Sequence, residues 1–458
     1  MGDDPLDDAT QAHIDAHLEE TIDDLKRLAA QPSVSAQRAG VRECAEMVAG
    51  LLTDAGFDAD IVPTGDPDYP GIIAEAGGKS DRTLLFYNHY DVQPPDPLDE
   101  WETPPFEPSE RDGYIYGRGI SDDKGPIVAR LAAIKALRAT RGDLPLRIKW
   151  CMEGAEEIGS LGFEDFVRAN ADRLRADACI WEGGGVNWDG RPMVMLGVKG
   201  LLYVELECAS ATTDSHSSYA PVVPNPAWRL VWALNTLKDS SEHVKLRGFY
   251  DRVRPALEQE AAAIEALPDT SREFLHNLGV EMALGEATGY EFRRRLIMDP
   301  TCNIAGFGGG YTGVGAKTIL PASARVKLDF RLVPNQDPDE ILASLRAHLD
   351  EHGFSDVKVS VHSSEHPART SIDDPFVKLV TDSARTVYGS EPYIMPSMPG
   401  TGPQHPVQDI LGVPVASCGI DYPGNRIHAP NENIRRDYFR LGIMHTAELI
   451  EEIGRSTG

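Results

Sequence analysis

The sequence has few positive charges. Lys and Arg together number 44 against 72 Asp and Glu, so the formal net charge is −28 at pH 7. This excess of negative charge repels phosphates and anionic membrane surfaces, and we therefore expect neither nucleic acid nor a membrane as a partner. Only 12 of the cations are Lys. A surface with few Lys and many Asp residues is typical of proteins adapted to high salt. It is equally typical of an acidic surface whose only role is to keep the protein soluble.

The sequence also lacks export signals, apolar spans and paired cysteines. The segment MGDDPLDDATQAHIDAH has neither the basic nor the apolar region of a signal peptide, and no stretch approaches 18 uninterrupted apolar residues. The six cysteines are scattered without a C-x-x-C pair. This pattern indicates free buried thiols in a reducing compartment, and we expect a cytoplasmic protein.

The length of 458 residues exceeds the size at which single cores usually divide, so two domains are expected. Apolar runs such as TLLFYNHYDV alternate with helical patterns up to residue 197 and again from residue 371. This alternation predicts an α/β domain, residues 1–197 and 371–458, with a mostly parallel sheet flanked by helices. LLYVELECAS and ARVKLDFRLVP instead alternate apolar and polar residues, which predicts an inserted α+β domain over residues 198–370.

Periodicity also predicts the individual elements. Helices are expected over residues 9–30, 37–56, 124–140, 163–173, 226–237, 337–349, 376–388 and 436–453. Strands are expected within residues 71–78, 83–92, 146–152, 178–181, 201–210, 324–334 and 412–419.

Histidines and acids stand near the ends of the predicted strands of the first domain. Taken singly, each has a structural explanation, such as a buried histidine, a helix N-cap or a solvated acid. Three carboxylates within residues 153–157 are unfavourable together, however, unless a cation neutralises them. If all these segments follow strands of one sheet, they converge where ligands bind in such sheets. The candidate metal ligands are His89, the acidic pair Asp122 and Asp123, the carboxylates within residues 153–157, Glu182 and His428.

Imidazole and carboxylate ligands favour divalent metals. Zinc suits this ligand set best, and manganese or cobalt are the alternatives. One acid between two ions could bridge them. The sequence therefore predicts two divalent metal ions.

The motifs NHYDVQP, GRGISDDKGP and EGAEEIGS, in this order, resemble those of the aminoacylase and carboxypeptidase-type family of dinuclear zinc hydrolases. That family includes carnosinase, cytosolic non-specific dipeptidase, acetylornithine deacetylase and succinyl-diaminopimelate desuccinylase, and the resemblance spans nearly the whole chain. GAKTILPASARVKLDFRLVP is similar to the dipeptidase branch. Glu182 departs from that branch, which has Asp there, and matches the desuccinylase and carboxypeptidase branches.

The resemblance implies a role for each residue of the cluster. Asp122 would bridge the two ions, and a cis peptide bond would follow it. The ligand pairs would be His89 with Glu182 and Glu157 with His428. In the same comparison Asp91 orients His89, and Glu156 is the general base.

The resemblance also implies that the insert is a lid and dimerisation domain. His216 is similar to a lid histidine that enters the active site of the partner subunit, which implies a homodimer; a histidine in a surface loop is the plain alternative. Arg331 matches a residue that binds a substrate carboxylate, for which a guanidinium fork is suited. Thr318, Gly400 and Thr401 match substrate-contacting positions.

These residues together imply a dinuclear metallopeptidase. It would cleave the peptide bond of dipeptides or short peptides with a free carboxylate, by means of a metal-activated water. The alternative is a deacylase, desuccinylase or carbamoylase that acts on N-acylated amino acids with the same site. A non-catalytic binding relative is a remote alternative, because all five expected ligands and the base are present.

Overall fold

The computed structural model describes residues 6–456. Residues 1–5 and 457–458, which the sequence assigns to the first domain, lie outside the described residues. The helices are α1 (Asp8–Ala16), α2 (Leu18–Ala30), α3 (Val41–Asp54), α4 (Lys124–Arg141), α5 (Phe163–Ala169), α6 (Ala171–Leu174), α7 (Pro226–Leu237), α8 (Glu258–Ala266), α9 (Ser271–Asn277), α10 (Gly289–Met298), α11 (Pro338–Glu351), α12 (Pro375–Tyr388), α13 (Gln404–Leu411) and α14 (Arg436–Arg455).

The strands form several sheets. They are β1 (Asp58–Val62), β2 (Gly71–Ala76), β3 (Thr83–His89), β4 (Ser109–Arg111), β5 (Tyr114–Tyr116), β6 (Arg147–Glu153), β7 (Ala178–Trp181), β8 (Gly185–Val186), β9 (Pro192–Met195), β10 (Gly197–Val198), β11 (Gly200–Ala209), β12 (Ser215–His216), β13 (Thr301–Gly309), β14 (Ile319–Leu320), β15 (Ser323–Leu332), β16 (Lys358–Glu365), β17 (Ala368–Arg369), β18 (Tyr393–Met395), β19 (Val415–Ser417) and β20 (Asn433–Arg435).

The largest sheet has the order β1-β2-β6-β3-β7-β19. Strands β6, β3, β7 and β19 run parallel, whereas β1 and β2 extend the sheet with antiparallel pairings. All seven residues of β3 are buried. Phe86 packs in the core cluster on one face of the sheet, while Leu85 and Tyr87 pack in the cluster on the other. The predicted α/β architecture, with a parallel-rich sheet covered on both faces, is confirmed.

Helix α4 lies between this sheet and the N-terminal helices, and its first residue is a buried lysine. Lys124 Nζ donates to Gln31 O at 2.6 Å and to Leu28 O at 3.3 Å. These carbonyls lie at the C-terminal end of α2, where helix carbonyls lack intrahelical partners and the helix dipole favours a cation. These two hydrogen bonds provide acceptors for the buried Lys124 side chain. They also fix the start of α4, next to the candidate ligand Asp122.

The second sheet has the antiparallel order β13-β15-β11-β16 and packs against α7 and α11. Along β11, Leu202, Val204 and Leu206 are fully buried and alternate with half-buried residues. Burial of each such side chain contributes about 1.5–3 kcal/mol. The alternation predicted for residues 201–210 is confirmed.

The chain enters and leaves this second layer through one short antiparallel pair, β10 with β17. The pair lies close to the predicted domain boundaries. The division into residues 1–197 with 371–458 and residues 198–370 stays a prediction.

Several elements differ from the sequence prediction. The expected helix over residues 9–30 is interrupted at His17, and that over residues 163–173 at Asn170. Helices α8 to α10 and strand β13 were not predicted; β13 is a glycine-rich strand at a sheet edge with mostly exposed residues, so it shows no apolar alternation. None of the helices within residues 6–456 combines the length and apolar character that crossing a membrane requires.

Candidate metal centre

Asp122 lies in the loop between β5 and α4, where two glycines permit close contacts. Gly119 has a φ of +81°, and a Cβ there would lie 2.6 Å from Val92 Cγ1. A Cβ on Gly125 would lie 2.1 Å from Ile120 O. Because neither position has room for a side chain, glycine allows the loop to turn into α4. The peptide bond after Asp122 is cis, as the resemblance implies.

His89 is the last residue of β3 and is 1% exposed. Its Nε2 lies 2.9 Å from Asp122 Oδ1. Its Nδ1 lies 3.1 Å from the main-chain oxygen of Asp91 and 3.4 Å from the Asp91 carboxylate, so the carbonyl is the nearer acceptor. The Asp91 carboxylate accepts the backbone N–H groups of Glu156 at 3.2 Å and Glu157 at 3.1 Å. Asp91 thus connects His89 to the loop that carries both glutamates.

Two histidines from distant parts of the chain face the two oxygens of Asp122. Oδ1 lies 2.9 Å from His89 Nε2, and Oδ2 lies 3.1 Å from His428 Nε2. His428 Nε2 is also 3.1 Å from Glu157 Oε2. The backbone of His428 has a φ of +63°, a conformation that is uncommon for non-glycine residues and concentrated at functional sites.

Glu182 follows β7, with Oε2 3.7 Å from His89 Nε2. Within residues 6–456, two sets of ligand atoms lie within 4.8 Å of one another: His89 with Asp122 and Glu157, and His89 with Asp123 and Glu182. Asp123 Oδ2 already accepts the side-chain amide of Asn88 at 2.5 Å and the backbone N–H of His89 at 3.2 Å. Asp123 is therefore engaged in holding the end of β3, whereas the carboxylate of Asp122 is more available to bind a metal ion.

The electrostatics of the cluster suit cations. Burial raises the pKa of Glu182 well above its ordinary value, and the charge of Glu156 adds to this. Burial likewise raises the pKa of Glu156; nearby His89 opposes this rise, and Asp122 adds to it. Glu182 Oε2 is buried without a hydrogen-bond partner among residues 6–456. Crowded carboxylates with an orphaned oxygen are stabilised by a divalent ion, so the residues fit a metal centre.

The expectation that every ligand follows a strand of one sheet is wrong for two of them. Asp122 follows β5 and His428 precedes β20, and these strands belong to a separate sheet of order β20-β5-β4. The two loops meet because β20 pairs with β5, with Asn433 opposite Tyr116. This three-stranded sheet brings Asp122 and His428 to the carboxyl edge of the six-stranded sheet.

The sequence pattern of Peptidase family M20/M25/M40 matches residues 85–452. The chain belongs to peptidase family M20/M25/M40. It is 30% identical to the Beta-Ala-His dipeptidase of Homo sapiens over 93% of this chain and 88% of that protein. It is 40% identical to the M20 family metallo-carboxypeptidase Sso-CP2 from Sulfolobus solfataricus, with a TM-score of 0.90 over 95% of this chain and 99% of that one.

A second solved structure, human carnosine dipeptidase 1, has 30% identity and a TM-score of 0.80 over 98% of both chains. The resemblance to the dipeptidase branch is therefore confirmed, and this M20 peptidase is a metal-dependent hydrolase.

The turn that contains Gly400 and Thr401 lies beside the cluster in this M20 peptidase. A Cβ on the next residue, Gly402, would lie 3.9 Å from both Glu156 Oε1 and Glu182 Oε1. The carbonyl of Gly400 accepts the backbone N–H of Lys199 at 2.8 Å. The turn is thus held to the chain segment that enters the second sheet.

His216 and Thr318 lie together, and no contact joins them to the metal cluster within the described residues of the chain. His216 stands opposite Ile319 in the β12–β14 pair, and the carbonyl of Thr318 accepts the backbone N–H of Ser217 at 3.1 Å. His216 Nδ1 accepts the N–H of Ser218 at 3.1 Å. The side chain is exposed, and Nδ1 also lies 2.9 Å from Ser218 Oγ, so the ring is held with Nδ1 towards Ser218.

Sequence reasoning missed three polar residues that support the ligands. Gln93 Nε2 donates to Glu157 Oε2 at 2.8 Å. Asp421 Oδ1 accepts the hydroxyl of Ser121, the residue before Asp122, at 2.6 Å. Glu432 accepts hydrogen bonds from the loop that carries Asp122. Gln93 stands within the motif NHYDVQP, which was a signal for it; the sequence offers no such signal for Asp421.

Proposed function

We propose that this M20 peptidase binds two divalent cations, with zinc favoured over manganese or cobalt. Asp122 would be shared between the two ions, and His89 with Glu182 would hold one while His428 with Glu157 would hold the other. The observation that carries this proposal is the position of Asp122, whose two carboxylate oxygens each contact a different histidine. A carboxylate shared in this way is the arrangement that a two-metal site needs.

The proposed reaction is hydrolysis of the peptide bond in dipeptides or short peptides that have a free carboxylate. The names of two relatives, a Beta-Ala-His dipeptidase and a metallo-carboxypeptidase, support this substrate class. Arg331 is the proposed carboxylate-binding residue, and Thr401, Gly400 and Thr318 are further proposed substrate contacts.

When bound, the two ions would supply Lewis acidity and a water that is deprotonated near neutral pH. Glu156 is the proposed base, which would take a proton from the attacking water and return it to the departing amine. Asp91 keeps this base in place, because its carboxylate binds the Glu156 backbone N–H.

We propose a homodimer in which His216 acts in the partner's active site. The exposed ring is held with Nδ1 towards Ser218, which leaves Nε2 to donate to the oxygen on which negative charge would develop. The insert, residues 198–370, is the proposed lid and dimerisation domain, and residues 1–197 with 371–458 are the proposed catalytic domain. A cytoplasmic location is proposed because all six cysteines are free and buried.

The experiment measures metal stoichiometry together with activity. The purified protein, loaded with zinc or manganese, is assayed against dipeptides, N-acyl amino acids and N-carbamoyl amino acids. We expect two ions per chain and turnover of dipeptides above the other two classes. Asp122→Asn should lose both ions, whereas the matched variant Asp165→Asn, on the exposed face of α5, should keep them. Failure to bind metal, or a preference for acyl substrates, would contradict the proposal.

A further inference from the structure

Glu432 is a carboxylate that the proposed reaction does not use. It lies just before β20, its side chain is fully buried, and it is 310 residues away from Asp122 in sequence. Both of its oxygens are fully engaged. The donors to it are Arg118 Nη1 at 2.7 Å, Gly119 N at 2.9 Å, Ser121 N at 2.9 Å and Asp122 N at 3.1 Å.

The four donors divide evenly between the two oxygens. Oε2 accepts from Arg118 and Gly119, and Oε1 accepts from Ser121 and Asp122. Arg118 is itself buried, and its other terminal nitrogen donates to Pro94 O at 3.2 Å. A buried ion pair is tolerated when its remaining hydrogen-bonding groups are satisfied, as those of the Glu432 carboxylate are here.

This arrangement fixes the backbone of the bridging residue. The N–H of Asp122 is held by Glu432, while its carboxylate lies between His89 and His428. We propose that Glu432 is a positioning residue that organises residues 118–122 so that Asp122 can bridge two cations. The inference rests on the proposed two-metal function and adds to it a buried residue that touches neither ion.

The substitution Glu432→Gln tests the charge and the second acceptor with almost no change of volume. An amide offers one acceptor oxygen, and its NH₂ group would face two donors in either orientation. Two of the four donors therefore lose their acceptor, and the charge of Arg118 loses its partner. The loop should loosen at Asp122 even though every proposed metal ligand is still present.

Two measurements detect the loosening of the Asp122 loop without depending on enzymatic activity. Titration of the zinc-loaded protein with a competing chelator should show a metal affinity about 10- to 100-fold weaker in Glu432→Gln than in the wild type. Hydrogen exchange, followed by mass spectrometry, should be faster in peptides that cover residues 118–122. In Glu432→Asp, which keeps the charge but shortens the reach, part of the affinity should return.

The matched control is Glu448→Gln. Glu448 is also a buried carboxylate paired with an arginine, since Arg455 Nη2 donates to it at 2.6 Å, but it lies in α14 and makes none of the hydrogen bonds to the Asp122 loop. This variant should lose stability and keep the wild-type metal affinity and loop exchange.

Different results would contradict the positioning role of Glu432 and the proposed two-metal function. If the wild type binds no zinc, the two-metal function fails. If the wild type binds two ions and Glu432→Gln binds them equally well, with unchanged loop exchange, only the positioning role is overturned. If Glu432→Gln fails to fold, hydrogen exchange in the wild type still tests the proposal. Free exchange of the Gly119, Ser121 and Asp122 amides in the wild type would overturn it.

Discussion

Arg331 Nη1 donates a hydrogen bond of 2.6 Å to Thr401 Oγ1. Arg331 belongs to β15 of the second sheet, and Thr401 precedes Gly402, where a Cβ would lie 3.9 Å from both Glu156 Oε1 and Glu182 Oε1. The guanidinium of a residue on the second sheet is therefore held to the turn that lies beside the candidate metal centre.

Arg331→Lys should raise KM for dipeptides and change kcat little. Lysine keeps the positive charge but loses the planar fork that binds both oxygens of a carboxylate. A hydrogen bond to a charged group is worth about 1.5–3 kcal/mol, so kcat/KM should fall about 10- to 100-fold. Steady-state kinetics with a dipeptide and with its C-terminal amide measure the effect, and the difference between the two substrates should shrink in the variant.

Arg325 provides the control for this prediction. It lies on the same strand, is exposed, and pairs with Glu207 at 3.1 Å. Arg325→Lys should leave both kinetic constants at wild-type values. A selective loss of kcat in Arg331→Lys, with KM unchanged, would contradict a role in carboxylate binding.

Glu156 and Glu157 are adjacent, and substitution to glutamine should affect them in opposite ways. Glu156→Gln should keep both ions and lose about 10²- to 10⁴-fold in kcat, because the base is removed. Glu157→Gln should weaken metal binding, since its oxygen is 3.1 Å from His428 Nε2 in the cluster. Metal analysis and single-turnover kinetics separate the two effects; metal loss from Glu156→Gln would assign it to the ligands instead.

The local elements of the fold were largely predictable from sequence. Strand β7 and helix α7 have the bounds that the pattern predicts, residues 178–181 and 226–237. The strand is a continuous apolar run between loops, and the helix has Asn225 as its N-cap followed by proline at the first position. Such signals are contained within a few neighbouring residues.

The side chains that come together in the candidate metal centre were predictable from sequence, and the residues that support them were less so. His89, Asp122 and Glu157 stand in motifs that resemble those of a known family, and this resemblance singled them out. The burial of Glu432 could not be predicted, because it depends on β20 pairing with β5 across more than 300 residues. The contact between Asp91 and the His89 ring could not be predicted in detail either. The main-chain oxygen of Asp91 is nearer to the ring than its carboxylate, and residue type alone does not show this.

The proposed role of His216 in the partner's active site predicts complementation between two inactive variants. Homodimers of His216→Ala and of Glu156→Ala should each be inactive. A mixed dimer contains one active site with both defects and one with neither, so activity should return to about half of the wild-type value. Turnover by purified heterodimers with two different affinity tags measures this.

Ser218→Ala serves as the control for the complementation experiment. It removes the hydroxyl 2.9 Å from His216 Nδ1 but keeps the imidazole and the backbone N–H that binds it. It should lose little activity as a homodimer. Verified heterodimers that stay inactive would exclude a histidine supplied across the subunit interface.

His445 in α14 predicts a component of acid sensitivity that lies away from the metal cluster. Its Nε2 lies 3.1 Å from Ser383 Oγ and its Nδ1 lies 3.2 Å from Cys418 Sγ. Burial lowers the pKa of this fully buried ring from 6.5 to about 4. Between these two values the unfolded chain binds a proton that the folded chain does not, so the free energy of unfolding decreases as the pH falls.

His445→Asn should therefore make stability less dependent on pH within that interval. The wild type should lose about 3 kcal/mol more than the variant as the pH falls from 6.5 to 4, as measured by urea unfolding. Ser383→Ala keeps the imidazole and should show the wild-type slope, with a constant loss of about 1 kcal/mol. Because the other titrating groups are common to all three proteins, equal slopes in the wild type and His445→Asn would mean that folding does not lower the pKa of this ring.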